Sequence, residues 1–152
     1  MFVCVNSRNV RREFDLNTYT TTDDVLKAVD NVTQETAGDA GVHEAIREMT
    51  LGGFADANGA REVQRVAVLL AASHSSVPNE TASAAARARD AGITMIAVGV
   101  GKNLCVDELA ATASDPICRN LIVLENATEV DSLKYVIRHR VREGAMLFVC
   151  VS

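Results

Sequence analysis

Aliphatic residues in this chain fall in two kinds of pattern, and the two alternate. Val66-Ala67-Val68-Leu69-Leu70 and Ile93-Thr94-Met95-Ile96-Ala97-Val98 are nearly continuous apolar runs, as are Leu121-Ile122-Val123-Leu124 and Met146 to Val151. Runs of this length without a polar face predict strands covered on both sides. Residues 2–6 form a shorter run of the same kind. Val10 to Leu16 instead alternates, with Val10, Arg12, Phe14 and Leu16 on one parity and Arg11, Glu13 and Asp15 on the other. It predicts an edge strand in a hairpin with residues 2–6, its charges discouraging further pairing. Between these runs the period changes to that of a helix. Val25, Leu26, Val29 and Val32 follow the start signal Thr22-Asp23-Asp24. Val42, Ala45, Ile46 and Met49 mark a helix from Gly41 to Met49, ended by Gly52-Gly53. Glu80 to Ala91 is an Ala-rich helix, Val106 to Ala113 a short one stopped by Asp115-Pro116, and Thr128 to Arg142 a longer one with Val130, Leu133, Val136, Ile137 and Val141 inward. Phe54 to Arg61 and Ser73 to Asn79 read as loops.

Strand and helix in alternation, with buried-type strands, predict an α/β fold: a doubly wound, mostly parallel sheet with helices on both faces and one antiparallel edge strand. The 152 residues suit one domain spanning 1–152, with no linker or low-complexity stretch. Hydrophobic residues are 48% and aromatics 4%, with no Trp, so the core is built from Val, Ala, Leu and Ile. The ends resemble each other, Phe2-Val3-Cys4-Val5 against Phe148-Val149-Cys150-Val151, a match short enough to arise by chance.

A net charge of -5, with basic residues scattered apart from Arg11-Arg12 and Arg138-His139-Arg140, excludes a nucleic-acid footprint. No apolar run approaches the ~20 residues of a membrane span, and Met1 to Val5 is too short for a signal peptide. Cys4 and Cys150 sit in apolar runs as buried thiols, while Cys105 and Cys118 flank a helix. Reduced thiols are the preferred reading, with three disulfide connectivities left open.

Several chemical motifs begin and fail. Gly99-Val100-Gly101-Lys102 lacks the spacing of a phosphate loop and reads as a tight turn. His43-Glu44 opens like a zinc-helix motif, but its fifth position is Arg47, which leaves His43 a helix-surface residue. Ser73-His74-Ser75-Ser76 places hydroxyls beside an imidazole, yet a nucleophile needs its base oriented by a third group. It reads as a polar loop, with an α/β hydrolytic enzyme as the remote alternative. Asp107-Glu108 is the acidic first turn of a helix. Asn31-Val32-Thr33, Asn79-Glu80-Thr81 and Asn126-Ala127-Thr128 are glycosylation triplets, meaningful only on export.

Over about residues 3–140, with matching segments from Ser7 onward, the order and spacing of segments resemble the von Willebrand factor A family, in its adhesive and extracellular-matrix form. Ser7 to Leu16 resembles that family's second and third strands. Phe54 to Arg61 with Val66 to Leu70 resembles the approach to its fourth strand. Ala91-Gly92-Ile93 through Gly101 is similar to its fifth strand and glycine turn, continued by Asp107-Glu108-Leu109 and Ala113-Ser114-Asp115-Pro116. The resemblance implies a metal-ion-dependent adhesion site at the carboxyl edge of the sheet, built from oxygen ligands. In the family an Asp-x-Ser-x-Ser loop follows the first strand, a Thr precedes the helix that here starts at Gly41, and an Asp follows the fourth strand.

This sequence departs at all three places. The first strand and its loop would precede Met1, the threonine position falls on Ala40, and the Thr-Asp-Gly position reads Ala71-Ala72-Ser73. Ala40 and Ala72 offer no oxygen, so no metal and no cofactor are expected. The alternative is a loop shift that lets Asp39 and Ser75 recruit a cation. The slot of the family's first strand lies mid-sheet, and Met146 to Val151 is the expected replacement, as in a circular permutation, which would set Cys4 and Cys150 on neighbouring strands. The rival is a fragment whose tail is adventitious.

The resemblance thus implies a non-enzymatic, extracellular protein-interaction module that works without metal. Its surface is expected at Asp39, Ala40, His43, His74 and Ser75, with possible glycans on Asn31, Asn79 and Asn126. The alternatives are a structural filler domain without a ligand and a piece of a larger matrix protein.

Overall fold

The computed structural model describes residues 2–6, 10–33, 41–129 and 146–151. The apolar runs become strands β1 (Phe2–Asn6), β3 (Arg65–Ala71), β4 (Ile93–Val100), β5 (Leu121–Leu124) and β6 (Met146–Val151), and the alternating run becomes β2 (Val10–Phe14). They form one six-stranded sheet in the order β2-β1-β6-β3-β4-β5. Every neighbouring pair is parallel except β1 with β2, which is antiparallel at the edge. The fold is the mostly parallel α/β sheet expected.

The centre of the sheet is closed by the carboxyl-terminal run. β6 lies between β1 and β3, with Leu147 opposite Val66 and Val149 opposite both Val68 and Val3. The expected replacement of the mid-sheet strand is therefore made by Met146–Val151. The two similar tetrads meet residue for residue, Phe2 with Phe148, Val3 with Val149, Cys4 with Cys150 and Val5 with Val151. The side chains of Cys4 and Cys150, expected to be buried, lie outside the described residues.

Helices α1 (Thr22–Asp30), α2 (Val42–Glu48), α3 (Pro78–Asp90), α4 (Val106–Thr112) and α5 (Ile117–Asn120) connect the strands. On one face of the sheet, Ala67, Leu69, Ile93, Met95 and Met146 pack with Val42, Ala45, Ile46 and Met49 of the α2 segment and with Ala84, Ala85 and Ala88 of α3. The fully buried Ala45, Ala85 and Ala88 let the two helices approach each other and the sheet without bulky side chains. Further along the same face, α4 covers Ala71 and Ala97 with Leu109, next to Ala113. On the opposite face Val66, Val68, Ile96, Val98 and Leu124 form a second core with Leu147 and Val149. Arg89 ties α3 to α4, its guanidinium donating to the Ala111 and Thr112 carbonyls at 2.9 and 3.0 Å. These are end-of-helix acceptors with no partner inside the helix.

Boundaries moved where local chemistry outweighed pattern. The α2 segment ends at Gly52-Gly53 as expected, but by a change of helix type and not by a simple stop. Its last stretch is a single π-turn, Met49–Gly53, whose Gly52 carbonyl accepts from the Asn58 side chain at 2.7 Å. The stretch after it is not wholly a polar loop: Phe54 is buried, followed by a 3-10 turn at Asp56–Asn58. α3 starts at Pro78, two residues before the expected Glu80, because proline's fixed φ and missing N–H suit the first helical turn. α1 is capped by Thr21, whose hydroxyl accepts the Asp24 N–H. None of its residues is buried, and Leu26 stays 57% exposed despite the helical spacing. At the turn once compared with a phosphate loop, β4 runs through Gly99 and Val100 into Gly101, whose φ of +108° requires glycine. Of the helix expected over Thr128 to Arg142, only a 3-10 turn at Ala127–Glu129 is described; residues 130–145 lie outside the described set.

Candidate functional site

The carboxyl ends of β3 and β4 and the amino ends of α2, α3 and α4 gather at one edge of the sheet, where open α/β sheets place their ligands. β3 stops at Ala71, and Ala72, Ser73 and His74 follow as exposed residues. Ser75 then turns inward and is 3% exposed. Its N–H donates to the Glu108 carboxylate, 3.1 Å from Oε2 and 3.3 Å from Oε1. Glu108 lies in the first turn of α4, so the expected acidic helix start also anchors the loop after β3. The Thr81 hydroxyl, 1% exposed, lies 3.1 Å from Ser75 Oγ and 3.3 Å from the Val77 carbonyl. The loop is thus fixed from two helices at once, by the carboxylate of α4 and the hydroxyl of α3.

His43 occupies the first turn of α2. Its side chain is only 14% exposed, and Nε2 lies 3.4 Å from Glu80 Oε2 of α3. Nδ1 is buried and has no hydrogen-bond partner. The expectation of a helix-surface histidine is corrected: α2 packs closely on α3 through Ala45 and the α3 alanines, and this draws the ring into the groove between them. Glu80 and Thr81, successive residues of α3, therefore meet His43 and Ser75. Of the five residues expected at the interaction surface, the structure brings His43 and Ser75 together around the start of α3 and leaves His74 exposed beside them. Asp39 and Ala40 lie outside the described residues. Sequence reasoning missed Glu80 and Thr81, and it assigned Glu108 only to the helix dipole. The charge in the first turn was the available signal; its partner 33 residues away was not.

Among the described residues, the carboxyl edge offers few oxygen donors at the position the resemblance implies. Ala72 places a methyl group where the aspartate would stand, and Ser75 already has its N–H and hydroxyl engaged. Among the described residues no three His, Cys, Asp or Glu side chains gather as metal ligands. Nor does the loop form a catalytic pair: the Ser75 hydroxyl faces Thr81 and not an imidazole. Cys105 and Cys118 are free and exposed. Asn31, Asn79 and Asn126 are all exposed. Asn79, expected in a loop, sits in the first turn of α3. Asn31 donates to the Lys27 carbonyl at 2.8 Å, and Asn126 donates to Glu129 at 3.2 Å.

The model of the von Willebrand factor type A domain matches residues 3–136. The transmembrane cell adhesion receptor mua-3 of Caenorhabditis elegans is 32% identical over 114 residues, 72% of this chain and 3% of that protein. Matrilin-2 of Mus musculus is 30% identical over 142 residues, 91% of this chain and 14% of that protein. The chain thus spans a small part of the length of these relatives. Among solved structures, proximal thread matrix protein 1 from the mussel byssus superposes with a TM-score of 0.83 at 22% identity, over 90% of this chain and 35% of that one. One structure of that protein has a zinc-occupied adhesion motif. At this identity the likeness establishes the fold alone. The chain belongs to the von Willebrand factor type A domain family, and its relatives are extracellular-matrix and cell-adhesion proteins.

Proposed function

We propose that residues 1–152 form one extracellular, non-enzymatic domain that binds a protein ligand through the carboxyl-edge loops without a metal ion. The observation that carries this reading is the Ser75–Glu108 contact. A cation site needs oxygen donors held open towards the ion. Here Ala72 has none, and the loop after β3 is drawn inward by a carboxylate of the protein itself. That internal anchor supplies the rigidity a bound ion would otherwise give. The exposed Ala72, Ser73 and His74 are left as the contact surface beside His43, with Asp39 and Ala40, which precede His43 in sequence, proposed as part of it. The buried, engaged Ser75 hydroxyl supports a binding role over hydrolysis. If the chain is exported, Asn79 and Asn126 are accessible for glycans, as is Asn31.

Calorimetric titration with magnesium, manganese and zinc tests the metal claim. Heats no larger than dilution are expected for all three, and one-to-one binding at micromolar concentration would overturn it. A saturable partner retained from a matrix extract in the presence of a chelator, and lost with His74→Ala, would support the interaction surface. Retention that collapses on chelation would count against it.

A further inference from the structure

One to two turns below the His43–Glu80 contact, the groove between α2 and α3 opens into a cleft of about 220 Å³ lined by Arg47, Thr50, Leu51, Ala84 and Arg87. Arg47 follows His43 by four residues, and Arg87 follows Glu80 by seven. At a rise of ~1.5 Å per residue the cleft lies roughly 6–10 Å along the helix pair from the carboxyl edge. It is a separate surface from the one proposed above. Its floor is Ala84 and its wall is Leu51, a leucine left 76% exposed because the π-turn carries it out of the helical face. The Thr50 hydroxyl is already spent on the Ile46 carbonyl at 2.7 Å. The polar groups that remain for a ligand are the two guanidiniums. Neither Arg47 nor Arg87 has an ion-pair or hydrogen-bond partner among the described residues. Two carboxylates on the same helices are directed elsewhere, Glu48 to Arg12 and Glu80 to His43.

The chain as a whole carries a net charge of -5, so two unpaired cations around an apolar hollow run against its overall field. The volume is below the ~300–1,000 Å³ of small-molecule sites and matches a single inserted side chain. Guanidiniums favour carboxylates, which they can bind in a bidentate fork, and interfaces combine an apolar core with a polar rim in which Arg is enriched. We infer that this cleft is a docking site for an acidic peptide segment of a partner protein, one leucine-sized side chain entering between Leu51 and Ala84 while flanking carboxylates pair with Arg47 and Arg87.

The test uses a fluorescently labelled, Glu- and Asp-rich peptide with one central leucine, titrated by anisotropy against the full chain at low salt. Saturable binding is expected. It should weaken at least tenfold for Arg47→Glu combined with Arg87→Glu, and several-fold for Leu51→Ser. Substituting serine for the peptide's leucine should weaken it comparably, while His74→Ala should leave it unchanged. All three altered positions in the cleft are exposed, and circular dichroism melts confirm that the variants stay folded. Binding that ignores the charge reversal, or that is equally strong for a Lys-rich peptide, would overturn the inference. So would saturation by an anionic detergent but not by the peptide. Loss through His74→Ala instead of the arginine pair would move the site to the carboxyl edge.

Discussion

Glu108 shows how much one side chain does at the carboxyl edge. It accepts a backbone N–H from a serine whose residue is 3% exposed, and without it that donor would lose its protein partner in a part-buried position. An unsatisfied buried donor costs about 1–3 kcal/mol. Glu108→Ala should therefore lower the unfolding free energy by that amount, read as a lower urea midpoint at unchanged m-value. Glu108→Gln, which keeps an acceptor oxygen, should lose clearly less. Equal losses in both variants would mean that the packing of the side chain matters and the hydrogen bond does not. The same residue marks a limit of reading from sequence. Its helix-dipole role is local and legible, because it depends only on position in the first turn. Its partner depends on where β3 and α4 end in space. Ser75 could be named from its place after a strand, and Ala72 from the absence of an oxygen, since both follow from residue type at a counted position. His43 could not be placed, because its burial depends on how closely the alanines let α2 approach α3.

At the scale of elements, the strand that matters most is β6. It pairs on both sides, with β1 and with β3, while β5 pairs on one side only. Proline removes a ladder donor and is tolerated at sheet edges but not in central strands. Val149→Pro should remove a ladder donor mid-sheet and leave its partner carbonyl unpaired, costing about 1–3 kcal/mol or more. Val123→Pro in β5, at an exposed edge residue, should cost less and leave a sharp transition. Denaturant melts followed by circular dichroism separate the two. Comparable losses would show that the central position of β6 carries no more weight than the edge position of β5. The strands were legible because a run such as Val66 to Leu70 has one reading at that length. The slot filled by β6 was legible only through the expectation that a mid-sheet position cannot stay open. The Phe-Val-Cys-Val tetrads looked like chance in one dimension, and their in-register pairing appears only once the two ends are neighbours. α1 misled in the other direction. Its apolar spacing formed the helix, but periodicity carries no information on whether a partner surface exists, and Leu26 remains exposed.

At the scale of the molecule, the first and last strands of the described chain lie side by side, and this decides how it unfolds. Both hydrophobic cores draw on β3, β4 and β6, so no cut through the sequence separates one from the other. Releasing β6 exposes Leu147 and Val149, opens the edges of β1 and β3, and removes Met146 from the core beneath α2 and α3 in the same event. An intermediate that keeps half the core dry is therefore not expected. Differential scanning calorimetry should show a single transition with calorimetric and van't Hoff enthalpies in agreement. At about 0.7 kcal/mol per residue, the 152 residues would give an enthalpy of roughly 100 kcal/mol near 60 °C. Two resolved transitions, or a van't Hoff enthalpy well below the calorimetric one, would mean that the β2-β1 hairpin melts apart from β3-β4-β5 and that β6 joins two units instead of closing one. A single transition would place the stability of the carboxyl-edge loops and of the α2–α3 cleft under one equilibrium, because both stand on helices packed against the sheet that β6 completes.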